Sequence, residues 1–406
     1  MTTDGTGTDP RTRTGAGLSG AATQAVLATS GGLVAAFVTS ALAPQLRGDL
    51  GLTAARLGVV VAVFFATSSL TAPLSGRLVD RMGSVRVMRA ALLLAAACLS
   101  WIGFAVHDWG GLATVLACAG VANGAIQPAA NRYIGRLIPP HHQGTAFGIK
   151  QSAIPAAMLI GGLAVPVAAY VADWRTVYVA TAAAVGITAA AVRRPPPAQR
   201  AATISAPPPP SRKSAGSSAA LIVLAIGWGL ASAGSNALGS FFVLTAVQAG
   251  YSAATAGILA MAGALCSITA RVVAGILADR QSGSGLSIVA AMSAAGAVGI
   301  ALLATNQLWA YVAAILLGYG LGSGWGGLFS YAIVTSYPKR PGHATGITQA
   351  GASAGSCLGP LGFGLVAATG GYPAAWLATG GTLLAAVAMV LVGRRMLRSA
   401  EAPLRC

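Results

Sequence analysis

Hydrophobic residues occur in long unbroken runs separated by short polar breaks. The runs predict helices over 21–43, 54–76, 88–106, 111–137, 146–171 and 175–192, and again over 218–246, 253–277, 286–305, 309–335, 344–369 and 373–393. Each run is about 20 residues long, the length a helix needs to cross a hydrocarbon core, whereas a membrane strand would show ten-residue alternation. Between the two sets, residues 193–217 hold Pro195–Pro197, Pro207–Pro210, Arg200, Arg212 and Lys213. Proline runs and charge do not sit in lipid, so this stretch reads as an exposed linker.

The two sets repeat one another. Gly51-Leu52-Thr53-Ala54-Ala55 matches Gly250-Tyr251-Ser252-Ala253-Ala254, and Gly76 with Asp80-Arg81 matches Gly275 with Asp279-Arg280. Gly144, Gly148, Ile149 and Gln151 match Gly342, Gly346, Ile347 and Gln349, while Trp109 and Trp174 match Trp309 and Trp376, all at offsets of 198–202. A constant offset over half a chain marks duplication of a six-helix unit. An even number of crossings per unit makes the repeats parallel, related by an axis along the membrane normal. The expected fold class is an all-α membrane protein, with twelve transmembrane helices in two pseudo-symmetric six-helix bundles. The expected divisions are a disordered cytoplasmic tail (1–20), an N-terminal bundle (21–192), the linker (193–217), a C-terminal bundle (218–393) and a cytoplasmic tail (394–406).

Composition agrees with a membrane. Charged residues make up 8% of the 406 positions, hydrophobic residues 55%, and mean hydropathy is +0.72. A soluble domain carries about a quarter of its residues charged. The net charge of +17 comes from Arg and Lys scattered among the breaks rather than gathered in a patch, so no nucleic-acid partner is expected. Most of these residues lie in alternate breaks, which places both termini in the cytoplasm; the many Arg and few Lys suggest a GC-rich bacterial genome, so the expected location is a bacterial inner membrane. Trp109, Trp174, Trp309 and Trp376 fall beside the opposite breaks, where interfacial indoles are favoured.

One break reads Gly76-Arg77-Leu78-Val79-Asp80-Arg81-Met82-Gly83-Ser84-Val85-Arg86, and its partner reads Gly275-Ile276-Leu277-Ala278-Asp279-Arg280-Gln281-Ser282-Gly283. Both resemble the signature between helices 2 and 3 of the major facilitator superfamily (MFS) and its degenerate copy between helices 8 and 9. The first copy has Ser84 and Val85 where a basic residue is common, and the second has no basic residue after Gly283. The resemblance implies a transporter with a gate in which Gly76, Asp80, Arg81, Gly83, Gly275, Asp279 and Arg280 take part. Gly76 would permit close helix packing, and Asp80 would cap a helix or pair with an arginine. The alternative is a surface charge cluster that only fixes topology. Residues 144–152, with Gly148-Ile149-Lys150-Gln151-Ser152, are similar to a stretch in cyanate- and nitroimidazole-type permeases.

At about 100° per residue, Asn123, Gln127 and Asn131 share one stripe of helix 4, while Arg132 and Arg136 share another face, which points Arg132 at a neighbour such as Asp80. Trp228, Ser232, Asn236 and Ser240 recur every four residues in helix 7, as do Thr345, Gln349 and Ser353 in helix 11. Such stripes line a cavity or only bond helix to helix. The expected substrate contacts are Asn123, Gln127, Asn236, Trp325 and Gln349, with Arg132 structural. Trp325 sits in a glycine-rich run, Gly318 to Gly327, that permits close packing or bending and lacks the Lys-Ser/Thr ending of a phosphate loop.

Arg132, Lys150 and Arg271 fall in the cytoplasmic third of their helices, where a cation is costly unless functional or snorkelling. Every Asp and Glu is peripheral to the predicted spans. The cysteines and histidines show no metal-ligand or disulfide spacing, so neither a cofactor nor enzymatic chemistry is expected. The expected function is secondary transport of a small organic solute by alternating access. A neutral or anionic solute is favoured, since no membrane carboxylate is present for an organic cation. The alternatives are a drug or metabolite exporter of the same superfamily, or a transporter-shaped sensor. The expected partners are the small-molecule substrate, a coupling proton or ion, and the lipid bilayer, with the chain acting as a monomer.

The charge bias makes a direct prediction. Reporter fusions after residue 205 and at the C-terminus should both report cytoplasm, and a periplasmic signal from either would overturn the orientation or the helix count.

Overall fold

The computed structural model describes residues 10–137, 143–171, 173–193, 218–280, 285–337 and 341–401. Residues 1–9, nearly all of the expected linker, the side chains of Asp279 and Arg280, and residues 402–406 lie outside that description. Span 1 is Pro10–Ala41, followed by a short helix Ala43–Leu50, then span 2 (Ala54–Met82), span 3 (Ser84–Ala105) and span 4 (Trp109–Leu137). Span 5 runs Gln143–Gln151 and on through Ala153–Tyr170, span 6 is Trp174–Ala191, span 7 Ser218–Gln248, span 8 Ala253–Arg280, and span 9 Leu286–Leu302. Span 10 is Leu308–Ala313, a π-helical stretch Ala314–Leu321, then Gly322–Gly324 and Gly326–Ser336. Spans 11 and 12 form the continuous stretch Pro341–Glu401, broken by non-helical backbone at Gly371, φ 79° and ψ 170°, just before Pro373.

Among the described residues ten stretches are long and apolar enough to cross a membrane. The last of them turns at Gly371 and counts as two, and Trp174–Ala191, at 18 residues, supplies the twelfth span. Several boundaries differ from expectation. Residues 10–20 continue span 1 and residues 394–401 continue span 12 as helix rather than as tails. The signature after Gly76 is mostly the last turns of span 2. The break is the single residue Gly83 at φ 85°, whose N–H still bonds to the Val79 carbonyl.

Little water is expelled when helices meet inside lipid, so close backbone contact between small residues carries much of the packing. Spans 2 and 4 meet where Gly120 and Gly124 face the backbone carbonyls of Phe64 and Ser68, leaving no room for a Cβ. Thr67 adds a hydroxyl bond to the Ala117 carbonyl, 2.9 Å. Spans 7 and 11 meet at Gly351, Gly355 and Gly359, which face Ala225, Gly229 and Ala233 at equal spacing. These two four-residue glycine ladders were not anticipated from the sequence, although their small-xxx-small spacing was there to read.

The halves touch along two seams. Spans 2 and 11 meet on the side away from the termini, where a Cβ at Gly58 would lie 2.7 Å from the Pro360 carbonyl and 3.4 Å from Gly364 Cα. Spans 5 and 8 meet on that side too, with Gly257 facing the Gly162 carbonyl at 2.8 Å. On the terminus side the seams differ. A Cβ on Gly148 would lie 3.2 Å from Gly275 Cα, but one on Gly76 or Gly346, their repeat counterparts, would meet nothing within 4 Å among the described residues. The close packing expected at Gly76 is therefore not seen among the described residues in this conformation, while Gly275 does make such a contact.

Two of the four expected interfacial tryptophans are interior. Trp174 donates its indole N–H to Asp49 at 2.7 Å, and Trp376 is fully buried against Phe363. Trp174 turns inward because Asp49, in the short helix Ala43–Leu50, offers its indole a partner.

The ladders predict a contrast. Gly124→Leu should lower the apparent Tm of the purified protein, since overpacking costs about 1–3 kcal/mol or more against rigid backbone. Gly76→Ala should leave it unchanged or slightly raised. Equal Tm values for all three proteins would contradict the packing described.

Candidate functional site

Spans 4, 5, 7, 8, 10 and 11 surround a cavity that takes lining residues from both halves. From the N-terminal half come Gln127, Lys150, Gln151, Ile154 and Met158, and from the C-terminal half Trp228, Ser232, Asn236, Arg271, Trp325, Gln349 and Ser356, among others. Among the described residues no Asp or Glu lines it.

The backbone explains how its cations are held. Pro155 has no N–H, so the Gln151 carbonyl one turn earlier loses its helical donor. The chain breaks at Ser152 between the two parts of span 5. Arg271, on span 8 of the other half, takes that carbonyl with Nη1 at 3.1 Å and reaches Ser267 Oγ with Nε at 3.4 Å. Lys150, on the preceding turn of span 5, donates to Gln127 Oε1 at 2.7 Å. Arg271 is 6% exposed and Lys150 7%, so neither snorkels to an interface. Both flank the tight Gly148–Gly275 contact. Their described hydrogen-bond partners are all neutral. An unpaired charge out of water is costly, and residues of this kind inside membrane helices usually serve a ligand or an ion path.

Span 10 supplies the aromatic wall. Its π-helical stretch ends at Gly322, where Gly296 of span 9 packs close enough that neither residue could carry a Cβ. A π segment shifts the register of the carbonyl ladder and is common at functional sites. The Trp325 indole N–H bonds the Gly322 carbonyl at 2.7 Å, and so turns an apolar ring to the cavity. Trp228 meets Trp325 edge-on at 6.0 Å and Phe329 at 4.5 Å. The glycine run thus provides both the packing and the bending that its sequence allowed.

Of the five expected contacts, Gln127, Asn236, Trp325 and Gln349 line the cavity. Asn123 does not. It is 3% exposed, donates to Ser68 Oγ at 2.8 Å, and accepts weakly from Gln127 Nε2 at 3.5 Å. The Gly124 ladder brings spans 2 and 4 so close that the neighbouring amide is used between helices; Asn123 supports Gln127 from behind. In span 7, Trp228, Ser232 and Asn236 reach the cavity, but Ser240 is buried with no partner for its hydroxyl. In span 11, Gln349 and Ser356 do so, while Thr345 and Ser353 do not line it. Lys150 and Arg271, for which the sequence leaves a functional and a snorkelling role open, both line the cavity. Gln151 was missed as well, though the repeat pairs it with Gln349, and both now line the cavity.

Arg132 points away, as the helical angles required. It forms an ion pair with Asp80, joining spans 4 and 2 within one half, with Asp80 70% exposed. The contact does not bridge the halves here. A pair this exposed is worth at most about 1 kcal/mol, so a conformational cycle can break it readily.

The Major Facilitator Superfamily model matches residues 25–360 and, separately, 224–404. Quinolone resistance protein NorA of Staphylococcus aureus is 29% identical over 119 residues, 29% of this chain and 30% of NorA, so the match spans under a third of that relative. An uncharacterized MFS-type transporter of Mycobacterium tuberculosis is 27% identical over 360 residues, 86% of this chain and 80% of the relative. Among solved structures, a bacterial homologue of the human lysosomal transporter Spinster, inward-facing and occupied, superposes with TM-score 0.66 at 17% identity, covering 95% of this chain and 97% of that one. The human organic anion transporter MFSD10 (TETRAN) superposes with TM-score 0.68 at 16% identity, covering 94% and 100%. At these identities the structural likeness establishes the fold.

The ion pair's position makes a prediction. With spin labels at Leu78→Cys and Gly346→Cys, Asp80→Asn should shift the distribution of distances between spans 2 and 11. Ligand affinity should stay within about twofold, given the small worth of an exposed pair. An unchanged distribution would reduce the motif to a topological marker.

Proposed function

The chain belongs to the major facilitator superfamily, and on that premise we propose that it is a secondary transporter carrying a small organic anion by alternating access. The single observation behind this reading is the pair of buried cations, Lys150 from one half and Arg271 from the other, lining one cavity without a carboxylate. An entering anion supplies the missing counter-charge, and arginine can hold a carboxylate by two parallel hydrogen bonds. Gln127, Asn236 and Gln349 bind its polar groups, and Trp325 its apolar body. The ligand touches both halves, so its binding energy differs between states in which the halves approach and states in which they part, as a ligand-driven shift requires. The organic anion transporter among the structural neighbours fits this reading.

The seams support a state that is closed outward. With the far-side contacts Gly58–Gly364 and Gly162–Gly257 closed and Gly76–Gly346 apart, the cavity is closed outward and partly released inward, given cytoplasmic termini in a bacterial inner membrane. In the other state Asp80, Arg81 and Gly83, with their counterparts at Gly275, Asp279 and Arg280, would meet the opposite half. One chain completes the cavity, so a monomer suffices. Coupling to a proton or another ion would show as a pH or ion dependence of flux.

A second reading, drug export, draws on the NorA likeness. It is disfavoured for cationic drugs, because a buried cation pair repels them.

The test is a liposome flux panel of organic cations, neutral metabolites and monocarboxylates at several pH values. Saturable, counterflow-competent flux of anions is expected. Lys150→Gln and Arg271→Gln should each weaken anion binding by about 10–100-fold, the worth of a hydrogen bond to a charged group. Proton-driven extrusion of a lipophilic cation, with no response to anions, would overturn the proposal.

A further inference from the structure

One point in the cavity has donors from both halves aimed at it. A Cβ placed on Gly326 would lie 3.5 Å from Arg271 Nη1 and 3.7 Å from Gln151 Nε2. Those are ordinary contact distances, so the backbone would tolerate a side chain there; glycine leaves the space open. Among the described residues the Gln151 side chain makes no hydrogen bond, although its backbone carbonyl anchors Arg271. The Arg271 side chain is 94% buried, since 6% is exposed, and its Nη2 has no described partner. The Arg271 guanidinium and the Gln151 amide therefore both border the cavity wall beside Gly326, a donor set that suits one planar anionic group.

The neighbouring residue decides what accompanies that group. Trp325 directly precedes Gly326, about 3.8 Å away along the chain. Its indole N–H is already committed to the Gly322 carbonyl, and Trp228 stands edge-on behind it. The Tyr319 hydroxyl is likewise turned to the Leu238 carbonyl, 3.4 Å. The aromatic groups on span 10 therefore have their donors committed and offer none to a second carboxylate. Lys150 is held by Gln127, which sets its ammonium beside the same cavity as long-range positive charge.

We propose that the cavity selects aromatic monocarboxylates, the carboxylate seated between Arg271 and Gln151 at Gly326 and the ring laid against Trp325. This deepens the anion-carrier reading and rests on it. Gln151 and Gly326 are specificity-determining residues of the site; the Gln151 carbonyl anchors Arg271 across the seam, but its side chain makes no described hydrogen bond between the halves.

The experiment measures binding to the purified full-length protein with four probes: benzoate, cyclohexanecarboxylate, benzamide and succinate. Benzoate should bind most tightly. Benzamide should bind at least about tenfold more weakly, the loss expected when a charge-assisted hydrogen bond becomes a neutral one. Cyclohexanecarboxylate should be weaker by about two- to tenfold, the worth of one aromatic pair. Gln151→Leu and Gly326→Val should each weaken benzoate about tenfold, the first by removing a donor and the second by filling the anion position. Gly326→Ala serves as the milder variant if valine impairs folding. Trp325→Leu should abolish the preference for benzoate over cyclohexanecarboxylate while leaving the preference over benzamide. Equal wild-type affinity for benzoate and cyclohexanecarboxylate, or a preference for succinate, would overturn the aromatic monocarboxylate assignment and leave anion transport standing. Equal affinity for benzamide and benzoate would overturn both readings. Failure of all four probes to bind at millimolar concentration would overturn this assignment, while anion flux in the liposome panel would still be measured separately.

Discussion

Arg271 crosses from one half of the molecule to the other to reach a carbonyl that Pro155 has freed, and the site depends on this contact. A guanidinium so deeply buried cannot rely on water, and the described carboxylates are all elsewhere. Backbone and hydroxyl oxygens satisfy its geometry but not its charge. Lys150, held by a neutral amide, is in the same position. Two charges on opposite sides of one seam, each hydrogen-bonded and neither neutralised by a described residue, leave the cavity lining with unbalanced positive charge. Replacing such a charge by an apolar side chain is often neutral or stabilising for folding alone, so stability is a poor explanation for its presence and a charged ligand a better one.

The remaining architecture keeps this seam movable. Within each half, the glycine ladders at Gly120–Gly124 and at Gly351–Gly359 lock spans backbone to backbone. Between the halves the contacts are unequal. Gly148 and Gly275 touch while their repeat counterparts Gly346 and Gly76 stand clear. The cations sit only on the 5–8 seam: the repeat places Thr348 opposite Lys150 and Ala72 opposite Arg271. Duplication produced the frame, and divergence placed charge on one seam.

Much of this was legible in the sequence, for a physical reason. In lipid every backbone group must be satisfied within a helix, so run lengths give the spans, and a fixed offset gives the halves. The errors have physical causes as well. Helix geometry assigns a residue to a face but not to a neighbour, which is why Asn123 was placed with Gln127 although it bonds Ser68. Depth from the helix ends suggested that Lys150 and Arg271 could snorkel, because a linear count cannot show a cavity reaching toward the terminus side. The role of Gln151 needed the fold, since it follows from Pro155 and from an arginine 120 residues away. The signature at Gly76–Gly83 was found where expected, but its partner in this conformation, Arg132, lies within the same half.

The most direct test of the anion site is anomalous diffraction from crystals of the protein grown with 4-iodobenzoate. The account predicts an iodine peak against the Trp325 and Trp228 rings, with the carboxylate within hydrogen-bond distance of the Arg271 guanidinium and the Gln151 amide beside Gly326. A ligand bound with its carboxylate turned away from Arg271, or bound only outside the cavity, would contradict it.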